Sequence, residues 1–285
     1  MAGRALRAGR RGRAGPQRHR PRGHHLLNPV HAPHPASTVH TARDGTIWTI
    51  TLDRPHKRNA IDRAMADALD AALNTLDDNP DLRVGVLSGG PTFFCAGSDL
   101  ASRGDYATAR GGEYGLIRRH RRKPLIAAVE GMALGGGLEI VLACDMVVAA
   151  DDARLGLPEV QRGVLPTCGA LFRALQALPP HTARELVLAG QPMDAARAHV
   201  LGLVNHLAQP GHTLARAQAL AAQIAANAPL SVQACLGAMN GLLAVADAAG
   251  WQATEQALAR IRSSDDLAEG LRAFFEKRAP VWSGR

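Results

Sequence analysis

The chain has 285 residues, enough for one large domain or two modest ones, and its aliphatic-rich, aromatic-poor composition (three Trp, two Tyr, five Phe) fits a soluble protein and excludes a fibre or a wholly disordered polymer. No uninterrupted apolar run reaches about 18 residues, which argues against a membrane span. The net charge of +8 sits in residues 1–43, which hold nine arginines and no Asp or Glu, so the remainder is one charge negative and a nucleic-acid reading attaches to that tail alone.

Residues 1–43, rich in Arg, Gly, Pro and His, show no apolar periodicity and are expected to be a disordered extension. They lack the apolar stretch of a secretory signal, and Pro16, Pro21, Pro29, Pro33 and Pro35 oppose an amphipathic transit helix. A nucleic-acid arm, a transit segment and an extension without a role all remain open, the last being preferred. His24, His25, His31 and His34 are read as solvated rather than as metal ligands.

Order is expected from about residue 45. "GTIWTITL" (45–52) reads as a strand ended by Arg54-Pro55. "AIDRAMADALDAALNTLDD" (60–78) places Ile61, Met65, Leu69, Leu73 and Leu76 on one helical face. "LRVGVLSGG" (82–90), "PLIAAVEG" (124–131) and "DMVVAA" (145–150) read as further strands, and alanine-rich helices dominate from about residue 169. Strands interleaved with helices predict an α/β core over 44–228, with a helical packing or assembly layer over 229–285. Cys95, Cys144, Cys168 and Cys235 form no C-x-x-C pair and are expected to be reduced core or near-core thiols of a cytoplasmic protein.

Two glycine-bearing loops follow buried strands: "FFCAGSDL" (93–100) and "ALGGGLEI" (133–140). A glycine turn that opens a helix exposes N–H groups with no intrahelical partner, where the helix dipole favours negative charge. Two such loops supply one N–H each to a single carbonyl oxygen, or else merely permit tight turns. The loops match no P-loop, dinucleotide-binding or nucleophile-elbow pattern. Glu139 falls one helical turn beyond Gly136 and is embedded in apolar sequence, which raises its pKa into the range of a usable acid or base unless a structural salt bridge holds it. Glu159, directly after Pro158, is a second candidate carboxylate and equally an ordinary helix start.

Together with "LDRPHKRNAID" (52–62), "IAAVEGMALGGGLEIVLACDMVVAADDARLGLPEV" (126–160) and "LGLVN" (201–205), these loops resemble the crotonase, or enoyl-CoA hydratase/isomerase, superfamily, in order over residues 40–285. The segments 177–190 and 263–285 look most like its carnitinyl-CoA dehydratase branch. The resemblance implies a crotonase-like spiral of repeated ββα units followed by a C-terminal helical layer. It assigns an oxyanion hole to the N–H groups of Ser98 and Gly136, and catalysis to Glu139 and Glu159. Retention of both glutamates implies addition or removal of water across C2=C3 of a short enoyl-CoA, carnitinyl-CoA/crotonobetainyl-CoA among them. Double-bond isomerisation is the enzymatic alternative, and nucleic-acid binding on an inactive fold is the reading from another class.

CoA contacts are expected at His56, Lys57, Arg58 and Ala60, at Ala96, Asp99 and Leu100, and at Phe274 and Lys277. The run "RRHRRK" (118–123) is read as a phosphate attractor or a solvated helix end. No metal or other cofactor is required, coenzyme A being part of the substrate; a homotrimer or dimer of trimers is implied, with no membrane or nucleic-acid partner. Carnitinyl-CoA dehydratases commonly carry Trp where this chain has Ser98, which weakens the case for a trimethylammonium acyl group.

Overall fold

A computed structural model describes residues 38–102 and 106–285. The hairpin β1 (Val39–Asp44) and β2 (Ile47–Leu52) opens the fold, followed by a 3-10 turn (Pro55–Lys57), α1 (Arg63–Asp78) and β3 (Val84–Ser88). Short strands β4 (Ala107–Thr108) and β5 (Gly112–Glu113) precede β6 (Leu125–Val129), β7 (Met132–Leu134) and α2 (Gly136–Leu142). Next come β8 (Met146–Ala150), β9 (Arg154–Gly156), a 3-10 turn (Pro158–Arg162), α3 (Ala170–Ala177) and α4 (Pro180–Ala189). The chain closes with β10 (Met193–Asp194), α5 (Ala195–Val200), β11 (His206–Ala208), α6 (Thr213–Ala225), α7 (Pro229–Arg262) and α8 (Asp265–Glu276).

The main sheet runs β1-β2-β3-β6-β8-β11, parallel from β2 onward, and a smaller sheet runs β10-β9-β7. Successive strands alternate between the two sheets before a helix returns, as in β6-β7-α2, so each ββα unit is one turn of a spiral. All five residues of β3 and of β6 are buried, as a sheet covered on both faces requires. Ala217, Ala221 and Ala225 of α6 cover one face over Val84, Val86, Ile126 and Val148. Met65, Leu69, Leu73 and Leu76 of α1 join the core on the other.

Several expectations need correction. Order begins at β1 rather than at residue 45, so residues 39–43 are a sheet edge; its VHTARD sequence leaves five of six residues exposed and shows no apolar alternation to read. The rest of the expected extension, including its histidines, lies outside the described residues. Ile61 bridges to Ser98 instead of joining α1, because Asp62 caps the helix through the Met65 N–H.

The basic run 118–123 is not a helix end, and while Arg118, His120 and Arg122 are exposed, the other three basic side chains are not free for phosphate. Arg119 is buried on Asp70 and Asp77, Arg121 pairs with Asp145, and the Lys123 ammonium donates to the carbonyls of Leu76 and Asn79. Cys235 is exposed on α7, whereas the other three thiols are buried or half-buried. Finally, α7 is by length and composition apolar enough to cross a membrane, which run-counting misses because Gln233, Asn240 and Asp247 interrupt it. Asp247 ties this helix to Arg173 of α3 at 3.2 Å, and Trp251 packs edge-on against Phe172 at 5.0 Å.

Candidate active site

The two glycine loops meet. A parallel bridge joins Cys95 to Ala133, and Leu134 N–H donates to the Cys95 carbonyl, which brings residues 95–98 beside the start of α2. The fit is close enough that a Cβ on Gly97 (φ +88) would stand 2.8 Å from the Gly136 nitrogen. Gly137 is equally closed by the Cys95 carbonyl. Side chains at 97 and 137 would therefore force the loops apart, the physical reason for small residues there. Neither the Ser98 N–H nor the Gly136 N–H has a hydrogen-bond partner among the described residues. Two free donors side by side, one of them at the start of α2, are N–H groups left open to an electron-rich oxygen.

Glu139 lies in the first turn of α2 and is 2% exposed. Its Oε1 accepts from the N–H of Cys168, in the turn before α3, at 2.7 Å and from that of Ala170, the first residue of α3, at 3.1 Å. Burial, reinforced by Glu159, nevertheless pushes its pKa up to about 8. Glu159 stands in the 3-10 turn after β9, where a Cβ on Gly135 would be 3.2 Å from its Oε1. Burial pushes its pKa up to about 7, and its Oε2 is buried with no hydrogen-bond partner.

The contrast with Glu130 is informative. That carboxylate is also buried, but one oxygen accepts from Gly211 N–H, Thr213 N–H and the Thr213 hydroxyl, fastening the start of α6. A buried carboxylate that is structural finds its donors in the fold; Glu159 leaves an oxygen for something else. Both carboxylates are pushed up into the range where a carboxyl group can serve as an acid or a base near neutral pH.

Of the remaining expected contacts, His56, Lys57 and Arg58 are exposed, and Arg58 sits at φ +52. Ala60 is buried, Ala96 is half-buried and Leu100 is exposed. The fold unites the first two groups: Ala96 N–H donates to the Arg58 carbonyl, and Ile61 N–H to that of Gly97. Asp99 is spoken for by Arg54, which pairs with it at 2.8 Å. Phe274 lies on α8 and Lys277 caps its C-terminal end; Phe274 sits under the Arg162 guanidinium at 5.3 Å, beside the turn that carries Glu159.

Sequence reading missed Asn59, whose amide donates to the carbonyls of Gly89, Phe93 and Phe94 and so props the first glycine loop. It also missed Cys168 and Ala170 as amide donors to Glu139, and Tyr114, whose hydroxyl is 2.7 Å from the Ser98 Oγ. Tyr114 did carry a signal, as one of two tyrosines and the only one set among glycines, in "GGEYG". Among the described residues no cluster of three or more His, Cys, Asp or Glu could hold a metal ion.

Residues 42–285 match the family model described as enoyl-CoA hydratase/isomerase. The chain is 38% identical over 261 residues to the carnitinyl-CoA dehydratase of Salmonella typhi, covering 88% of this chain and 100% of that one. It is 39% identical over 249 residues to the mevalonyl-coenzyme A hydratase of Aspergillus fumigatus, covering 83% and 91%. Among solved structures it is similar to the carnitinyl-CoA hydratase from Mycobacterium avium, at 38% identity with a TM-score of 0.84 over 88% and 100% of the two chains.

Proposed function

The chain belongs to the enoyl-CoA hydratase/isomerase family and is a hydro-lyase acting across the C2=C3 bond of an enoyl-CoA thioester, and from that premise we propose how its own residues carry the reaction. The thioester oxygen sits between the N–H groups of Ser98 and Gly136, which stabilise the enolate charge that develops as C3 is attacked. Ionised Glu139 takes a proton from water as its oxygen bonds to C3, and protonated Glu159 delivers its proton to C2. Dehydration runs the same steps backwards, from the form in which the proton starts on Glu139. Because the two pKa values lie close together, the singly protonated pair supplies both starting forms.

The single observation that carries this reading is the convergence of two unpartnered amides with two carboxylates of raised pKa, Glu139 buried and Glu159 half-buried with an unpartnered Oε2. The amides, the glutamates and water complete the proton balance without a metal or redox cofactor. CoA contacts are proposed at His56–Ala60 and Ala96–Leu100, which the fold unites, and at Phe274 and Lys277. A homo-oligomer is supported by α7, whose Leu230, Met239, Leu242, Leu243 and Val245 are exposed apolar side chains.

The acyl group proposed is short, with carnitinyl-CoA and mevalonyl-CoA the chemistries named among relatives of similar identity. The test is loss of enone absorbance of crotonyl-CoA and crotonobetainyl-CoA, side by side. Selective loss with the latter places the enzyme with the carnitine substrates, and preference for crotonyl-CoA makes it a general short-chain hydratase. No loss with either overturns a short-chain assignment.

A further inference from the structure

Tyr114 has no part in the steps above, yet its placement is costly. It is 3% exposed and holds φ +56, a left-handed conformation that side-chain-bearing residues adopt only at a cost of about 1–3 kcal/mol. Its hydroxyl shares a 2.7 Å hydrogen bond with the Ser98 Oγ. The phenol lies directly over Gly136, so that a methyl group there would overlap the Tyr114 hydroxyl and ring. The Cys168 thiol lies close enough to the phenol to add to burial in disfavouring its ionisation, and the Cys168 N–H holds Glu139. The Tyr114 Oη therefore lies against both residues that carry the free amides, next to the Cys168 segment that holds Glu139.

Two hydroxyls that share one hydrogen bond use one of their two protons. The second proton meets no acceptor oxygen among the described residues, so the half-buried pair keeps a donor for one. With the thioester oxygen at Ser98 and Gly136, C3 is two bonds from the carbonyl carbon. Glu139 lies one helical turn along from Gly136, so an oxygen on C3 comes to rest between Glu139 and the phenol.

Building on the hydratase reading, we infer that Tyr114 is a third catalytic residue, whose hydroxyl donates a hydrogen bond to the oxygen entering or leaving at C3. In hydration it holds the water for Glu139; in dehydration it stabilises the departing oxygen while Glu139 supplies the proton. No proton leaves Tyr114, whose burial keeps the phenol neutral.

The test compares two reactions of Tyr114→Phe, which keeps the ring. The first is hydration of crotonyl-CoA or crotonobetainyl-CoA, whichever the wild-type enzyme turns over faster. The second is exchange of the C2 protons of butyryl-CoA with deuterium oxide, which needs the amides and a carboxylate but involves no oxygen at C3. The expected result is a kcat for hydration lowered about 10–100-fold with little change in KM, and an exchange rate at least tenfold less affected. Ser98→Ala, which retains the backbone N–H, should show the same pattern with a smaller loss. Equal losses in both reactions would show that Tyr114 merely supports the amides, and unchanged hydration would remove it from the reaction; either overturns the inference. A wild-type protein silent in both reactions overturns the acyl-CoA site itself, which is a separate result from a variant that has lost both.

Discussion

Gly270 of α8 stands on Arg162 backbone to backbone: a methyl group at 270 would overlap the Arg162 carbonyl, while Gly163 (φ +66) is closed in turn by the Asp266 carbonyl. The last helix is thus seated on the end of the 3-10 turn that begins with Pro158 and Glu159. Gly270→Ala is expected to lift α8, shift Glu159 and lower hydration at least tenfold, with about 1–3 kcal/mol of stability lost to overpacking. Steady-state rates and a thermal melt check this; an active variant with an unchanged melt would disconnect α8 from the site.

Glu139→Gln and Glu159→Gln should each lower hydration by about 10²–10⁴-fold, the range for loss of a positioned acid or base. Both should keep the fold, because glutamine preserves shape in each pocket. Near-normal turnover in either variant removes that residue from the proton transfers, and circular dichroism separates this from misfolding.

The pH dependence follows from the proton the pair shares. Below about 7 both carboxylates are protonated, and above about 8 both are ionised, so kcat should follow a bell with its plateau between those values. A rate that stays flat from pH 6 to 9 contradicts the proposed sharing.

Stability should move the opposite way from the usual acid denaturation. Both carboxylates are raised in the folded state, so the fold binds protons that the unfolded chain releases at its ordinary carboxylate range. Their contribution is fully favourable below that range and is lost as pH rises towards about 7 and 8. Glu139→Gln removes the charge and should raise stability at pH 8.5 by about 1–3 kcal/mol, or several degrees in Tm, with little effect at pH 5. Melts of both proteins at the two pH values decide the matter.

The spiral core was legible because β3 and β6 are continuous apolar runs and α1 repeats Met65, Leu69, Leu73 and Leu76 at helical spacing. The catalytic candidates were legible because carboxylates and glycines in apolar sequence are expensive and stand out. What stayed hidden is pairing at long range. Nothing local in Arg119 or Lys123 announces that Asp70, Asp77 and the end of α1 will consume their charges. The strand VHTARD was unreadable because an exposed edge imposes no apolar pattern. The phenol of Tyr114 reaches Ser98 across 16 residues, so its part in the site appears only when the loops fold together.

The two open amides also leave a mark that needs no turnover to read. In sheets and helices this well covered, backbone N–H groups exchange slowly with solvent deuterium because each is already bonded. Ser98 and Gly136 are exceptions by construction, two rapidly labelled points beside slowly labelled strands. A thioester that docks as proposed should silence both at once, so the occupancy of this site can be followed as the loss of two signals from an otherwise unchanged exchange map.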